Sequence, residues 1–172
     1  MATKCVACNS SIWLGGTSWA GMTCCNDTCV SNLKVALVDK LIPAADVERM
    51  ISEVHDGACM VCKKPGPNDI YHARKVTGML VAVQWTTERH ICCAPCARNK
   101  KLLAFLHCAT LGWWSPKAIL INVFYLPYNL LGLAFTNPTP TPSRELVTTV
   151  KGILADRNAA VISAAVRATP KA

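Results

Sequence analysis

Charge is scarce in this sequence, and negative charge most of all. Charged residues make up 16% of the 172, against about 25% in an ordinary globular chain. Ten acidic residues face 18 lysines and arginines, a net charge of +8. That balance suits a polyanion such as nucleic acid or an anionic lipid surface, and it equally serves to keep a cysteine-rich chain in solution. Combined with 52% apolar residues and a positive mean hydropathy, the low charge points to a membrane or an oligomeric core. The apolar excess is concentrated between Leu102 and Phe135.

Catalytic signatures are missing as well. There is no H-E-x-x-H, nucleophile elbow, phosphate loop or dinucleotide fingerprint, and His72, His90 and His107 have no Glu at metalloprotease spacing. The chain is therefore expected to be no enzyme, and no small-molecule substrate is indicated. Met1 to Ser10 also lacks an apolar signal region after its basic residue. The thiols are accordingly expected to stay reduced in the cytoplasm, where clustered cysteines read as metal sites. An odd total of 11 cysteines fits complete disulfide pairing poorly.

What is present begins with those cysteines. Cys5 and Cys8 form a C-x2-C knuckle, and Cys24, Cys25 and Cys29 follow after a stretch holding Trp13, Gly15, Gly16 and Trp19. In such a knuckle two thiolates converge while nearby amides donate to the sulfurs. Ile12 to Met22 reads as a hairpin turning at Gly15-Gly16. Adjacent Cys24 and Cys25 diverge, so one of them ligates; Cys25 is preferred because Cys25 to Cys29 resembles the C-x3-C half of a treble-clef-like finger, whose helix begins at the last ligand. The competing set uses Cys24. A helix carrying Leu33, Leu37, Val38 and Leu41 should run to Pro43, and a second should span Ala45 to His55, with Val47, Met50, Ile51 and Val54 at helical spacing. With four cysteines at hand, His55 is expected at the surface.

The pattern then recurs. Cys59 and Cys62 form a knuckle followed by Lys63-Lys64-Pro65-Gly66, and Cys92, Cys93 and Cys96 come about 30 residues later. Residues 70–76 and 79–91 have strand composition around Gly78, and two knuckles joined by a β-hairpin are the layout of a zinc ribbon. The expected ligands are Cys59, Cys62, Cys93 and Cys96, with Cys92 as the substitute for Cys93. Two structural Zn2+ ions, one per four-cysteine set, are thus expected. All-thiolate sites leave no position for a reactive water, and structural zinc contributes on the order of 10 kcal/mol to folding.

Beyond the second set the chain is apolar from Leu102 to Trp114 and from Ala118 to Phe135, joined by Trp113-Trp114-Ser115-Pro116-Lys117, where Lys117 is the only charge in 34 residues. A helical hairpin is expected. A bilayer span needs about 20 apolar residues, so a shallow re-entrant or interfacial hairpin fits better than two spans. Pro127 should kink the second half, and Asn122 and Asn129 need partners. Trp113, Trp114, Tyr125 and Tyr128 suit a headgroup boundary, with Arg98, Lys100 and Lys101 on the cytosolic flank. Two helices buried in a soluble core or oligomer are the alternative. Asn137 to Pro142 forms a stiff link, and Ser143 caps a helix from Arg144 to about Ala168.

The expected fold is α+β: two small cysteine zinc modules, a treble-clef-like finger (1–56) and a zinc ribbon (57–100), then a hydrophobic helical hairpin (101–135), a Pro/Thr linker (136–143) and a C-terminal amphipathic helix and tail (144–172). By its paired knuckles the chain resembles zinc-ribbon proteins. More specifically, Cys59, Cys62, Cys93, Cys96, Gly112, Trp113, Trp114 and Asn129 resemble a group of uncharacterised, mostly bacterial proteins that join a four-cysteine ribbon to a hydrophobic Gly-Trp-Trp segment. Where that group often has glycine-rich sequence, this chain has Ser115-Pro116-Lys117. The resemblance implies zinc and membrane proximity and no activity.

Three functions compete. The first is a non-enzymatic, zinc-stabilised adaptor at the cytosolic membrane face with a protein partner. The second is a soluble cytoplasmic zinc ribbon that binds nucleic acid through Lys63, Lys64, Arg74, Lys75, Arg98, Lys100 and Lys101. The third is a thiol-redox or zinc-sensing switch using Cys24, Cys92 and Cys108.

Overall fold

The computed structural model describes residues 3–13, 15–80 and 82–168. It is a mixed helix and strand fold whose elements group into two compact units, one formed by Met1–Ile51 with Val147–Ala172 and the other by Ser52–Leu146.

The first unit opens with two short antiparallel ribbons. β1 (Thr3–Lys4) pairs with β2 (Ser11–Ile12), and β3 (Thr17–Trp19) pairs with β4 (Met22–Cys24). The hairpin turn lies at Ala20-Gly21, not at the expected Gly15-Gly16. Both turn residues have positive φ, 51° and 78°, the handedness that lets a two-residue turn follow the strand twist. Gly15 and Gly16 instead carry the chain from one ribbon to the next.

Helix α1 (Asp27–Leu41) starts where the Asn26 side chain accepts the Cys29 amide at 2.8 Å, and it ends before Pro43. α2 (Ala44–His55) follows. At the other end of the chain, Asn158 divides the single expected helix into α5 (Arg144–Arg157) and α6 (Ala159–Ala168). Its amide and side-chain nitrogens both donate to Leu154 O while its own carbonyl accepts from Ile162, so one residue closes α5 and opens α6. The core of this unit gathers Val38, Val47, Ala155 and Ile162. Asp156 fastens it by accepting from Trp19 Nε1 at 2.7 Å and Lys34 Nζ at 2.8 Å.

The second unit is built on an antiparallel hairpin of two twelve-residue strands, β5 (Asn68–Met79) with β6 (Ala82–Cys93), in register from Asn68↔Cys93 to Met79↔Ala82. Helices α3 (Ala94–Leu111) and α4 (Pro116–Phe135) pack together and against β5. A Cβ on Gly78 would meet Ala118 Cβ at 2.8 Å and the amides of Trp114 and Ser115 at 3.1 Å. Only glycine lets the α3–α4 turn approach the strand so closely.

The packing of these helices is inverted relative to a soluble core. The buried residues of α4 are Ala118, Asn122 and Asn129, and those of α3 include Ala97, Ala104 and Cys108. Leu120, Phe124, Leu131 and Phe135 of α4 are 57–76% exposed, and Leu102, Leu103 and Leu106 of α3 are exposed as well. Asn129 Nδ2 donates to Arg74 O at 2.7 Å, and Asn122 Nδ2 donates to Cys108 O at 2.9 Å. Small and amide side chains thus line the innermost contacts, Ile121, Tyr125 and Leu126 are half-buried against them, and the remaining large apolar side chains named above face outward. Among the described residues α4 is the one helix long and apolar enough, by length and composition, to cross a membrane, and 17% of its most apolar stretch is buried. It runs continuously through Pro127.

His55 lies inside the fold and not at the expected surface. It is 3% exposed, and its Nδ1 lies 2.8 Å from Asn68 O. The Asn68 amide in turn donates to Val54 O and Gly57 O, which fastens the end of α2 to the start of β5. Residues 137–143 are also tied down: Thr139 and Ser143 donate to buried Asp69, and Tyr71 donates to Asn137 O.

Candidate metal centres

Two groups of four cysteines come together, Cys5, Cys8, Cys25 and Cys29 in the first unit and Cys59, Cys62, Cys93 and Cys96 in the second. Each group has its sulfurs within 4.8 Å of one another.

The two groups are built on one plan. In the first knuckle the Cys5 amide donates to Ser10 O at 2.9 Å and the Asn9 amide donates to Cys5 O at 2.8 Å. In the second, the Cys59 amide donates to Lys64 O at 2.9 Å and the Lys63 amide donates to Cys59 O at 2.8 Å. The residue after each C-x2-C is left-handed, with φ 60° at Asn9 and 61° at Lys63. That conformation is what reverses the chain tightly enough for both thiols to face one point. Asparagine adopts it readily, whereas lysine does so at a cost.

Each second pair sits at a helix N-terminus. Cys25 precedes the cap residue Asn26 and Cys29 lies in the first turn of α1; Cys93 caps α3 and Cys96 lies in its first turn. The second group thus takes two sulfurs from the Cys59–Cys62 knuckle and, across the β5–β6 hairpin, two from the start of α3. Helix starts present free amides and a positive dipole end to thiolates. Across each group one amide reaches back to the first knuckle sulfur, Cys25 N to Cys5 Sγ and Cys93 N to Cys59 Sγ, both at 3.4 Å.

Electrostatics follow the same plan. Burial works to raise the Cys5 thiol, yet the amides of Cys8, Cys25 and Ala7 bring it down to about 6. Cys59 is likewise brought down to about 6 against burial by the amides of Cys62, Cys93 and Val61. The first knuckle sulfur of each group is thus favoured as a thiolate, and Cys8 is lowered as well, chiefly by the Ser10 hydroxyl. The last sulfur of each group rises, Cys29 to about 12 beside the Cys25 sulfur and Cys96 upward by burial and the sulfurs around it. A multivalent cation relieves that crowding of charge.

The donor set can be tested against a tetrahedral ion. Four thiolates about 2.3 Å from zinc stand about 3.8 Å apart along each tetrahedral edge. Cys8–Cys25 and Cys62–Cys93 are both 3.7 Å apart, and Cys25–Cys29 is 3.1 Å. A disulfide needs about 2.05 Å, and all eleven cysteines are free. The geometry is consistent with a zinc-like ion in each group, held by four sulfurs with no open coordination position.

Neither group includes Cys24, Cys92 or Cys108, which are each 0% exposed. Cys24 belongs to the apolar cluster of Met22, Val30 and Leu33, and Cys108 to that of Val76 and Ala118. The shared plan of the two groups has a sequence signal that spacing alone had not brought out. A doubled cysteine, Cys24-Cys25 or Cys92-Cys93, precedes the last sulfur of both groups, its first member packing inward and its second joining the group. Compared with protein-family models, curated proteins and solved structures, the chain finds no match.

Proposed function

We propose that this protein is a non-enzymatic adaptor, stabilised by two structural zinc ions and attached to the cytosolic face of a membrane. The attachment rests on one observation, the inverted burial of α3 and α4. A helix that buries Asn122 and Asn129 while exposing Leu120 and Phe124 is matched to a solvent more apolar than water. The β5–β6 hairpin has only two strands, so its open edges carry backbone groups that hydrocarbon cannot satisfy. This favours a helix pair resting at the interface over one carried across the bilayer.

Zinc is the ion that best suits eight thiolates in two closed tetrahedral sets. A cavity of about 470 Å³ beside the second group is lined by Cys62, Cys93, four prolines and their neighbours, and no carboxylate, histidine or hydroxyl is among its lining side chains. Trp13, 85% exposed on the first unit, is the kind of aromatic anchor a protein partner would cover.

Nucleic-acid binding ranks second because several of its candidate cations are engaged. Arg74 lies over the rings of Tyr128 and Tyr125 at 4.1 and 5.6 Å, Lys75 pairs with Glu88 at 2.7 Å, and Arg98 and Lys101 bond to Thr136. The redox reading ranks third, since its spare thiols are fully buried.

Cell fractionation tests the membrane assignment. Full-length protein should sediment with membranes after a high-salt wash, and the double variant Leu120→Glu with Phe124→Glu should move to the soluble fraction with its zinc retained. Wild-type protein that is soluble and monodisperse would overturn the assignment.

A further inference from the structure

The outward face of the α3–α4 pair has a charge pattern as well as an apolar one. Between Ile70 and Thr87, and again between Arg89 and Arg144, the chain has no acidic residue. The acids closest to this region in sequence are engaged: Asp69 is buried and holds Thr139 and Ser143, Glu88 pairs with Lys75, and Glu145 pairs with His72.

Two lysines bracket the apolar face. Lys117 is exposed and stands one turn before Leu120 on α4, sharing its outward face, and half-buried Lys100 stands one turn before Leu103 on α3, at the edge of the exposed face. Trp113 and Trp114, 47% and 63% exposed, lie in the turn beside Lys117.

We infer that this face docks on anionic phospholipid, with Leu103, Leu106, Leu120 and Phe124 among the acyl chains, Trp113 and Trp114 at headgroup level, and Lys100 and Lys117 on the lipid phosphates. The inference rests on the membrane assignment above and names the surface it requires. The helices lie in the plane of the leaflet, because Leu102 to Trp114 extends only about 20 Å and falls short of the hydrocarbon thickness, and α4, though long enough to cross, packs along α3 and β5. In that pose the amide-lined inner face stays on β5, and the hairpin remains on the aqueous side. A face of this kind adds apolar burial to electrostatic attraction, whereas a second copy of the chain would bring like-charged lysines together.

The test is co-sedimentation of zinc-loaded full-length protein with two kinds of vesicle, phosphatidylcholine alone and phosphatidylcholine mixed with phosphatidylserine. The mixed vesicles should bind more tightly. Lys100→Ala and Lys117→Ala should each weaken that binding about fivefold, the effect of one cation near an anionic surface, with zinc content and circular dichroism unchanged. The double variant Leu120→Glu with Phe124→Glu should lose both surfaces. Equal binding to both vesicles, unaffected by the lysine variants, would overturn the anionic preference and leave membrane attachment standing. No binding to either, with a dimer by light scattering, would overturn both.

Discussion

Cys24 and Cys25 are adjacent in the chain and have opposite tasks. The sulfur of Cys25 joins the first metal group while Cys24 packs among Met22, Val30 and Leu33. Cys25→Ser should therefore lower the zinc content by one ion per chain, and Cys24→Ser should keep both ions while costing about 1–3 kcal/mol for a hydroxyl in a thiol's apolar pocket. Metal analysis with denaturant melts separates the two effects. The grouping of the cysteines into two sets of four was legible in the sequence from the C-x2-C and C-x3-C spacings. His55 was not, because its burial depends on the carbonyl of Asn68, 13 residues away. Lys63 gives a second prediction at this scale. It is exposed and left-handed, so Lys63→Asn should raise stability by up to about 1 kcal/mol, read as a shift in the denaturation midpoint. A third concerns pH. The Lys75 ammonium, aided by His90, holds the Glu88 carboxyl below its ordinary range. A depressed acid stabilises the fold above its unfolded pKa, and that contribution is lost as pH falls through the folded pKa. Glu88→Gln should accordingly lower stability at neutral and alkaline pH and flatten the acid limb, the two proteins converging in acid, by well under the value of a buried pair because Glu88 is about one-third exposed.

Among the elements, α3, α4 and the β5–β6 hairpin depend on close approach at glycine. A Cβ at Gly78 would press on Ala118 and on two backbone amides, so Gly78→Ala should cost about 1–3 kcal/mol through overpacking. Thermal melts check this, and a change within 0.5 kcal/mol would mean the turn can shift freely. Both apolar helices were legible in the sequence from length and composition. Their inverted orientation was not, since an almost continuous apolar run carries little periodicity. What fixes it is the strand beside them, whose Arg74 carbonyl captures Asn129 and whose Gly78 admits Ala118. The division of α5 from α6 was hidden for a similar reason. Asn158 bonds back to Leu154 in a polar contact that leaves the apolar stripe on both sides in phase.

For the whole molecule, metal and fold form one equilibrium. The first unit's own ribbons are two or three residues long, too short to be stable unaided. Binding of an ion to four converged thiolates contributes folding free energy on the order of 10 kcal/mol. Chelation should therefore unfold the knuckle of each unit and reduce cooperativity across the chain, seen as loss of circular dichroism that zinc restores and magnesium does not. The central claim, that both cysteine groups are closed zinc sites, is tested most directly by native mass spectrometry of the reduced full-length protein. Two zinc ions per chain, falling to one in Cys25→Ser and one in Cys93→Ser, is the expected result. Less than one zinc per chain with all eleven thiols reduced would contradict it.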